Sequence, residues 1–379
     1  MRAFPATNLD DLETAARRRL PRPVFDLIAG GADDELSLRR NRSAFAALTL
    51  HPRLLADVSQ RDMSTTILGR RMAAPIMLAP TGAARVLHRD AELAVASAAD
   101  DAGLVYVQSA ISAFPAAAIA QRASRPLWYQ LYVTPERDRL KEDLRQIASD
   151  GYEVLVVTLD TPVLGHRERD IRHHVTLPVR IGPKVLAQVL LRPKWAIDYA
   201  RTTHLPGQSG RVPTRTTQSQ IAASAYPVTE ADLGRVRDLW PGPLVVKGVL
   251  TASACESVAR RGVDGVIVSN HGGRQLDGTL APLEALPEVV AAAGSLPVMV
   301  DGGIRRGTDV AKAIALGAQA VLIGRPYLYG LAVGGQAGVA AAISILTSEL
   351  DRTMALLGAR TVKDLTAELV RRPSAAAPL

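Results

Sequence analysis

The chain has 379 residues, 47% of them apolar and 22% charged, a balance typical of folded soluble proteins and long enough for one large barrel or two average domains. No stretch approaches the ~20 apolar residues of a bilayer span, and the N-terminus carries acids where a secretion signal needs an apolar core. A single cysteine, Cys255, excludes an intrachain disulfide and points to a reducing cytoplasm.

Taken in chain order, the residues up to about Arg70 precede the first strand and contain a helix from Asn8, with Asp10 and Asp11 in its first turn. Short apolar, β-rich runs follow at Pro75–Ala79, Val105–Ser109, Leu127–Leu131, Val154–Leu159, Leu244–Lys247, Val266–Ser269, Pro297–Val300 and Ala320–Ile323. They are continuous rather than alternating, the pattern of parallel strands covered on both faces. Helical stretches separate them, among them Asp90–Ala102, Glu136–Asp150, Ser253–Arg261 and Thr308–Leu316. Gly151, Gly262 and Gly317 stand just past three of these, where a left-handed residue ends a helix cheaply. Eight strand–helix units close into a single (β/α)8 TIM barrel over residues 1–379, with a doubly wound sheet as the alternative.

One connection, from about Val163 to Pro243, is far longer than a usual strand-to-helix loop. Its stretch 171–229 holds a single acid, Asp198, among eight arginines and lysines, and so accounts for much of the net charge of +8. A solvated loop face, attraction of an anionic substrate and contact with an anionic membrane surface all remain open. Nucleic acid is not expected, since no repeated module of stacking aromatics accompanies the charge. The length predicts a lid-like insertion, part of it ordered by Trp195, Tyr199 and Tyr226.

Barrel chemistry sits at the C-terminal ends of the strands. Those ends read Pro80-Thr81-Gly82, Ser109, Gln130 with Tyr132, Thr158 with Asp160, Lys247, Ser269-Asn270-His271, Asp301-Gly302-Gly303 and Gly324-Arg325. Turn residues would fill some of these positions in any barrel, but not Lys247, nor His271 together with Arg274. The last two ends, with Ile304 and Arg305, offer open backbone N–H groups and arginines, the chemistry of a phosphate site. His88, His173, His174 and His204 lack matching partners and read as surface residues, Cys255 as a packed helix residue. No cluster has metal-ligand spacing.

The run Ser269-Asn270-His271-Gly272-Gly273-Arg274-Gln275-Leu276-Asp277 resembles the active-site signature of the FMN-dependent 2-hydroxy-acid oxidases and dehydrogenases. The similarity extends from Leu20 to about Leu365 and includes Tyr129-Gln130-Leu131-Tyr132, Thr158-Leu159-Asp160-Thr161-Pro162, Gly165-His166-Arg167-Glu168 and Asp301-Gly302-Gly303-Ile304-Arg305. The resemblance implies an FMN enzyme in which His271 is the base and Asp160 steadies its imidazolium. Arg167 and Arg274 would hold the substrate carboxylate, Tyr132 the hydroxyl, and Lys247 the N1/O2 edge of the flavin. Pro80, Thr81, Gly82, Ser109, Gln130, Thr158 and Ser269 would line the isoalloxazine and ribityl chain. Asp301, Gly302, Gly303, Ile304, Arg305, Gly324 and Arg325 would hold ribityl and phosphate. A homotetramer is also implied, with O2 or another electron acceptor as second substrate.

Elementary chemistry agrees with these roles. The oxidation needs a base near neutral pKa, and a carboxylate beside that imidazole should raise its pKa. A fixed lysine eases reduction of a flavin, and a guanidinium matches a carboxylate in planar geometry. Two positions depart from the family pattern. Leu27 replaces a tyrosine that touches the substrate carboxylate, and Ile111 replaces a tryptophan common in short-chain oxidases; both suggest a bulky or aromatic substrate. Hydride or carbanion chemistry stays open, as does oxidase or dehydrogenase. An FMN barrel with isomerase activity and a silent binding barrel are the competing classes.

Overall fold

The structure, a computed structural model, describes residues 6–125, 127–173, 189, 191–202 and 225–372. Its centre is a closed barrel of eight parallel strands: β1 (Ile76–Leu78), β2 (Val105–Ser109), β3 (Trp128–Leu131), β4 (Val154–Thr158), β5 (Leu244–Val249), β6 (Gly265–Val268), β7 (Val298–Asp301) and β8 (Ala320–Ile323). Each pairs with the next in sequence and β8 returns to β1. Every strand residue but Gly248 is buried, which is why the runs read as continuously apolar.

The inside of the barrel is filled by Met77, Val107, Trp128, Val156, Val245, Ile267, Met299 and Leu322. A hairpin, Thr65–Ile67 with Arg70–Met72, adds Ile67 and Met72 to this cluster and so closes the N-terminal end with apolar side chains. Burying a side chain of this size contributes roughly 1.5–3 kcal/mol.

Three helices precede the barrel. In α1 (Leu9–Arg19) the Asn8 side chain accepts from the Asp11 N–H while the Asp11 carboxylate accepts from the Asn8 N–H, a reciprocal cap. Its buried residues Leu9, Leu12 and Ala16 recur at helical spacing. After α2 (Arg22–Ala29), α3 (Leu36–Ala46) has no cap of its own; the Asp277 carboxylate accepts from the Leu36 and Ser37 N–H groups instead. The family-like signature is thus also the clamp on an N-terminal helix. Strand Thr49–Leu50 pairs antiparallel with Val370–Arg371, joining the two ends of the fold.

The outer helices follow the expected order: α4 (Ala91–Asp101), α5 (Ala116–Ala120), α6 (Arg137–Ser149), α7 (Glu168–Arg172), α8 (Pro193–Thr202), α9 (Glu230–Leu239), α10 (Ala252–Ala259), α11 (Pro282–Ala293), α12 (Gly307–Ala315) and α13 (Arg325–Leu357). Gly151, Gly262 and Gly317 have φ of +89°, +71° and +103°, as their helix-ending positions require. Cys255 is buried in α10.

Helix α13 corrects one expectation. At 33 residues it is long and apolar enough to cross a membrane by length and composition. It breaks helical geometry at Gly334 and Gly335, however, and packs against α1, α4 and α12, the behaviour of a core helix.

The described residues of the long connection include the helix that carries Trp195 and Tyr199, two of its aromatics. In α8 Trp195 is buried, donates from Nε1 to the Val86 carbonyl at 2.8 Å and stacks on Tyr199; Asp198 pairs with Arg19 at 2.6 Å. The proposed lid falls largely on 174–188, 190 and 203–224, outside the described residues. Two histidines read as surface residues are not free: His173 Nε2 meets Asp26 at 2.9 Å, and the half-buried His88 ring fills the space beside Gly335. Asp26 and Gly335 come from distant segments, so local sequence gave no sign of them, whereas the Asp90 carboxylate that also meets His88, at 3.6 Å, is two residues away. His174 and His204 lie outside the described residues.

Candidate active site

The C-terminal ends of the strands open into a cavity of about 470 Å3, within the ~300–1,000 Å3 of small-molecule and cofactor sites. On its polar side, β5 ends at Lys247 and β6 runs into Ser269-Asn270-His271. The Lys247 ammonium donates to Ser269 Oγ at 2.7 Å and pairs with Asp301 Oδ2 at 3.0 Å. Burial disfavours its charge, but Asp301 and Asp160 outweigh that and raise its pKa above the usual lysine value. Lys247 is therefore a fixed buried cation.

Gly248 has φ +107° and adjoins a register shift in the β5–β6 ladder; a Cβ there would lie 2.6 Å from the Asp160 Cβ. That missing side chain lets Asp160, just past β4, approach β5 and reach His271. His271 Nδ1 and Asp160 Oδ1 are 3.0 Å apart. His271 itself sits at φ +59°, a costly conformation for a residue with a side chain. It is held there by its N–H donating to Ser269 Oγ at 3.0 Å. The second Asp160 oxygen is buried without a hydrogen-bond partner among the described residues.

Electrostatics correct one expectation. Burial is the largest influence on His271 and carries its pKa below the ordinary histidine value; Asp160 pulls upward, and Lys247 and Arg167 add to the fall. The carboxylate neighbour thus fails to raise the imidazole above normal, because desolvation and two nearby cations outweigh it. For Asp160 burial works upward, yet His271 and Lys247 hold the carboxyl below the usual range. The resting pair is a neutral imidazole beside a carboxylate. Burial, with Asp160, raises the Tyr132 phenol and keeps it protonated.

Arg167, at the start of α7, and Arg274 lie on the same cavity wall. Arg274 donates to the Leu27 and Gly30 carbonyls, both at 3.0 Å, which aligns its guanidinium through α2. Burial, then Arg167 and Arg325, push Arg274 down to about 9. Three guanidinium groups crowded this way form a site that an anion stabilises. Arg325 donates to the carbonyls of Ile28, Gly30 and Gly272, so it also locks α2 and the signature loop to the barrel.

At the β7–β8 end, Gly303 has φ +88°, and a Cβ on it would lie 2.0 Å from the Asn41 carbonyl oxygen. The Asn41 and Asn270 side chains exchange hydrogen bonds at 2.9 and 2.7 Å, pinning α3 to the signature. Arg305 Nε is buried without a hydrogen-bond partner among the described residues, beside the backbone of Gly302, Gly303 and Gly324. An unpartnered buried guanidinium N–H next to a glycine-lined backbone suits a phosphate.

The remaining sequence-predicted residues divide in two. Leu27, Pro80, Thr81, Gly82, Ser109, Ile111, Tyr132, Asp301, Ile304 and Arg325 line the cavity. Gln130, Thr158 and Ser269 are buried just behind it, where Ser109 Oγ and the Ala110 N–H donate to Gln130 Oε1 and Gln130 Nε2 donates to Thr158 Oγ1. Sequence reasoning missed the lining residues Leu164, Asp170 and Ile171, which belong to the long connection, and Tyr327, whose hydroxyl meets Thr81 Oγ1 at 2.5 Å and donates to the Ala79 carbonyl. The acid in HRERD was a usable signal for Asp170, masked by the surrounding charges.

A barrel mouth joining an imidazole–carboxylate pair, a buried lysine, paired arginines and a glycine-lined backbone beside an unpartnered guanidinium N–H has the chemistry to suit a phosphate-bearing cofactor and an anionic substrate. The profile of the FMN-dependent dehydrogenase family matches residues 16–372. Among curated proteins the chain is 38% identical over 371 residues to (S)-mandelate dehydrogenase of Pseudomonas putida, covering 96% of this chain and 93% of that one. It is 42% identical over 364 residues to an L-lactate oxidase of Nostoc, covering 94% and 96%. Among solved structures, the monotopic membrane protein (S)-mandelate dehydrogenase superposes with a TM-score of 0.91 at 37% identity, covering 97% of this chain and 100% of that one. Mandelate oxidase with (S)-2-phenylpropionate gives a TM-score of 0.81 at 36% identity, covering 97% and 98%. The chain belongs to the FMN-dependent dehydrogenase family and is an FMN-dependent (S)-2-hydroxy-acid oxidoreductase.

Proposed function

We propose that this enzyme oxidises a bulky or aromatic (S)-2-hydroxy acid to the 2-oxo acid, with O2 as acceptor. The observation that carries the reading is the His271–Asp160 pair at 3.0 Å on the same cavity as Arg167 and Arg274. The two arginines bind the carboxylate, Tyr132 holds the hydroxyl, and His271 takes a proton from the substrate. Because Nδ1 faces Asp160, that proton is accepted at Nε2, and Asp160 stabilises the imidazolium so formed. Bound FMN supplies the two-electron acceptor. Lys247 is assigned to its N1/O2 edge; Pro80 to Gly82, Ser109, Gln130, Thr158 and Ser269 to the ring and ribityl chain. Asp301 to Arg305, with Gly324 and Arg325, are assigned to ribityl and phosphate.

Leu27 and Ile111 make the substrate side of the cavity apolar, which favours a large side chain over none. We assign the whole chain to one FMN-binding domain, place it in the cytoplasm and take it to be a homo-oligomer, in line with the family's tetramers. A second reading, a carrier- or quinone-linked dehydrogenase in contact with a membrane, is favoured by the TM-score of 0.91 to a monotopic membrane (S)-mandelate dehydrogenase.

Anaerobic mixing with a panel of 2-hydroxy acids tests the first reading. The yellow absorbance should bleach faster with mandelate-like acids than with glycolate, and admitted O2 should restore it with formation of hydrogen peroxide. No bleaching by any 2-hydroxy acid refutes it; bleaching without recovery in O2 selects the second reading.

A further inference from the structure

Asp170 lies on the cavity wall among the cations assigned to the substrate carboxylate, and the oxidation described above gives it no task. It stands in α7, three residues after Arg167, with its side chain 14% exposed and Oδ2 3.8 Å from Arg274 Nη2. A second acid, Asp26 in α2, lies behind it, itself held by Arg169 at 3.4 Å and His173 at 2.9 Å. Burial is the largest influence on Asp170 and, with Asp26 opposing its charge as well, carries its pKa above the ordinary aspartate value, while Arg274, Arg167 and His173 favour the charged form. The other charged lining residues are the cations Arg167, Arg274, Arg305, Arg325 and Lys247 and one carboxylate, Asp301, which is paired with Lys247 at 3.0 Å. Asp170 thus places one anion among cations built to attract anions.

We propose that Asp170 is a specificity-determining counter-ion that lowers the affinity of the arginine pair for anions, so that small inorganic anions do not occupy the substrate site. The inference rests on the assignment of Arg167 and Arg274 to the carboxylate. The physical reason is competition. An incoming anion approaches guanidinium groups already partly neutralised, and it meets the repulsion of a carboxylate at close range in a poorly solvated place. Only a ligand that gains further contacts, such as an apolar side chain on the Leu27–Ile111 wall, then binds well. Without Asp170 the arginines repel one another unrelieved, and any anion stabilises the site more.

The test uses the FMN-loaded enzyme, with anion binding read from the perturbation of the visible flavin spectrum. Sulfate and phenylglyoxylate are titrated into wild type, Asp170→Asn, Asp170→Glu and Arg274→Met. Removing the charge should tighten sulfate by about tenfold, the scale of one charge at this range in a partly solvated site, and phenylglyoxylate by less. Asp170→Glu should return sulfate affinity to near the wild-type value, and sulfate should raise the melting temperature more in Asp170→Asn than in wild type. Should the asparagine variant not fold, Asp170→Ser is measured in its place. Unchanged or weaker sulfate binding in a folded, FMN-loaded variant overturns the proposal. Failure of the underlying assignment shows separately, as phenylglyoxylate affinity that Arg274→Met does not weaken.

Discussion

Two walls of one cavity differ in how they are made. On the β4–β6 side Asp160, Lys247, Ser269 and His271 are tied to one another by bonds of 2.7–3.0 Å and buried or nearly so. On the other side Leu27, Ile28, Ile111 and Leu164 offer only apolar surface. A hydrogen-bonded cluster has few alternative arrangements, and removing one member strands the others. An apolar wall tolerates changes of shape and charges for them in small increments of buried area. On the proposed function the first wall sets whether the reaction runs, the second which acid enters. Four substitutions probe that division.

His271→Ala removes the proposed base and strands Asp160. FMN should still bind, while substrate-driven bleaching slows by roughly 10²–10⁴-fold, the usual contribution of a placed general base. Stopped-flow reduction measures this; an unchanged rate with mandelate-like substrate would falsify the assignment. Next, Lys247→Met takes a buried cation from Asp301 and leaves a buried carboxylate without its ion pair. Slower reduction, a lower flavin midpoint potential and weaker FMN retention are expected, and an unaltered potential would remove Lys247 from the flavin edge.

Behind the apolar wall, Glu92 in α4 is completely buried; one oxygen accepts from the Ala113 N–H at 3.2 Å, beside the Ile111 loop, and the other has no partner among the described residues. Burial raises its pKa from 4.5 to about 7. The folded protein then holds a proton that the unfolded chain releases, so this group's contribution is full below pH 4.5 and declines as pH rises towards 7. Glu92→Gln abolishes that decline and should gain on the order of 3 kcal/mol over wild type at pH 8 relative to pH 4, at about 1.4 kcal/mol per unit. Urea unfolding across this pH range decides it: parallel curves for the two proteins refute the reading.

The smallest change concerns the apolar wall itself. Leu27→Tyr restores a hydroxyl able to bond a carboxylate, an interaction typically worth about 1.5–3 kcal/mol. Glycolate should gain most, since it has no side chain with which to use the leucine surface. The ratio of kcat/KM for glycolate to that for mandelate should rise at least several-fold in the variant. Equal ratios in the two proteins would return substrate choice to some other part of the cavity.

Local chemistry settled much of this protein from sequence. Continuous apolar runs marked the eight strands to within one or two residues, because a strand covered on both faces has no polar side to show. Asn8 and Asp11 marked the first helix, since cap residues act over three positions. The residues lining the cavity at strand ends were legible for the same reason: barrel geometry sends each strand end to one mouth. Tertiary structure alone decided the rest. Asp277 caps α3 across 240 residues, Asn270 locks to Asn41, and His173 finds Asp26, pairings that no spacing announces. The fall in the His271 pKa likewise needed the fold. A neighbouring carboxylate can be guessed from a motif, but desolvation and the combined field of Lys247 and Arg167 exist only once distant segments have closed around the ring.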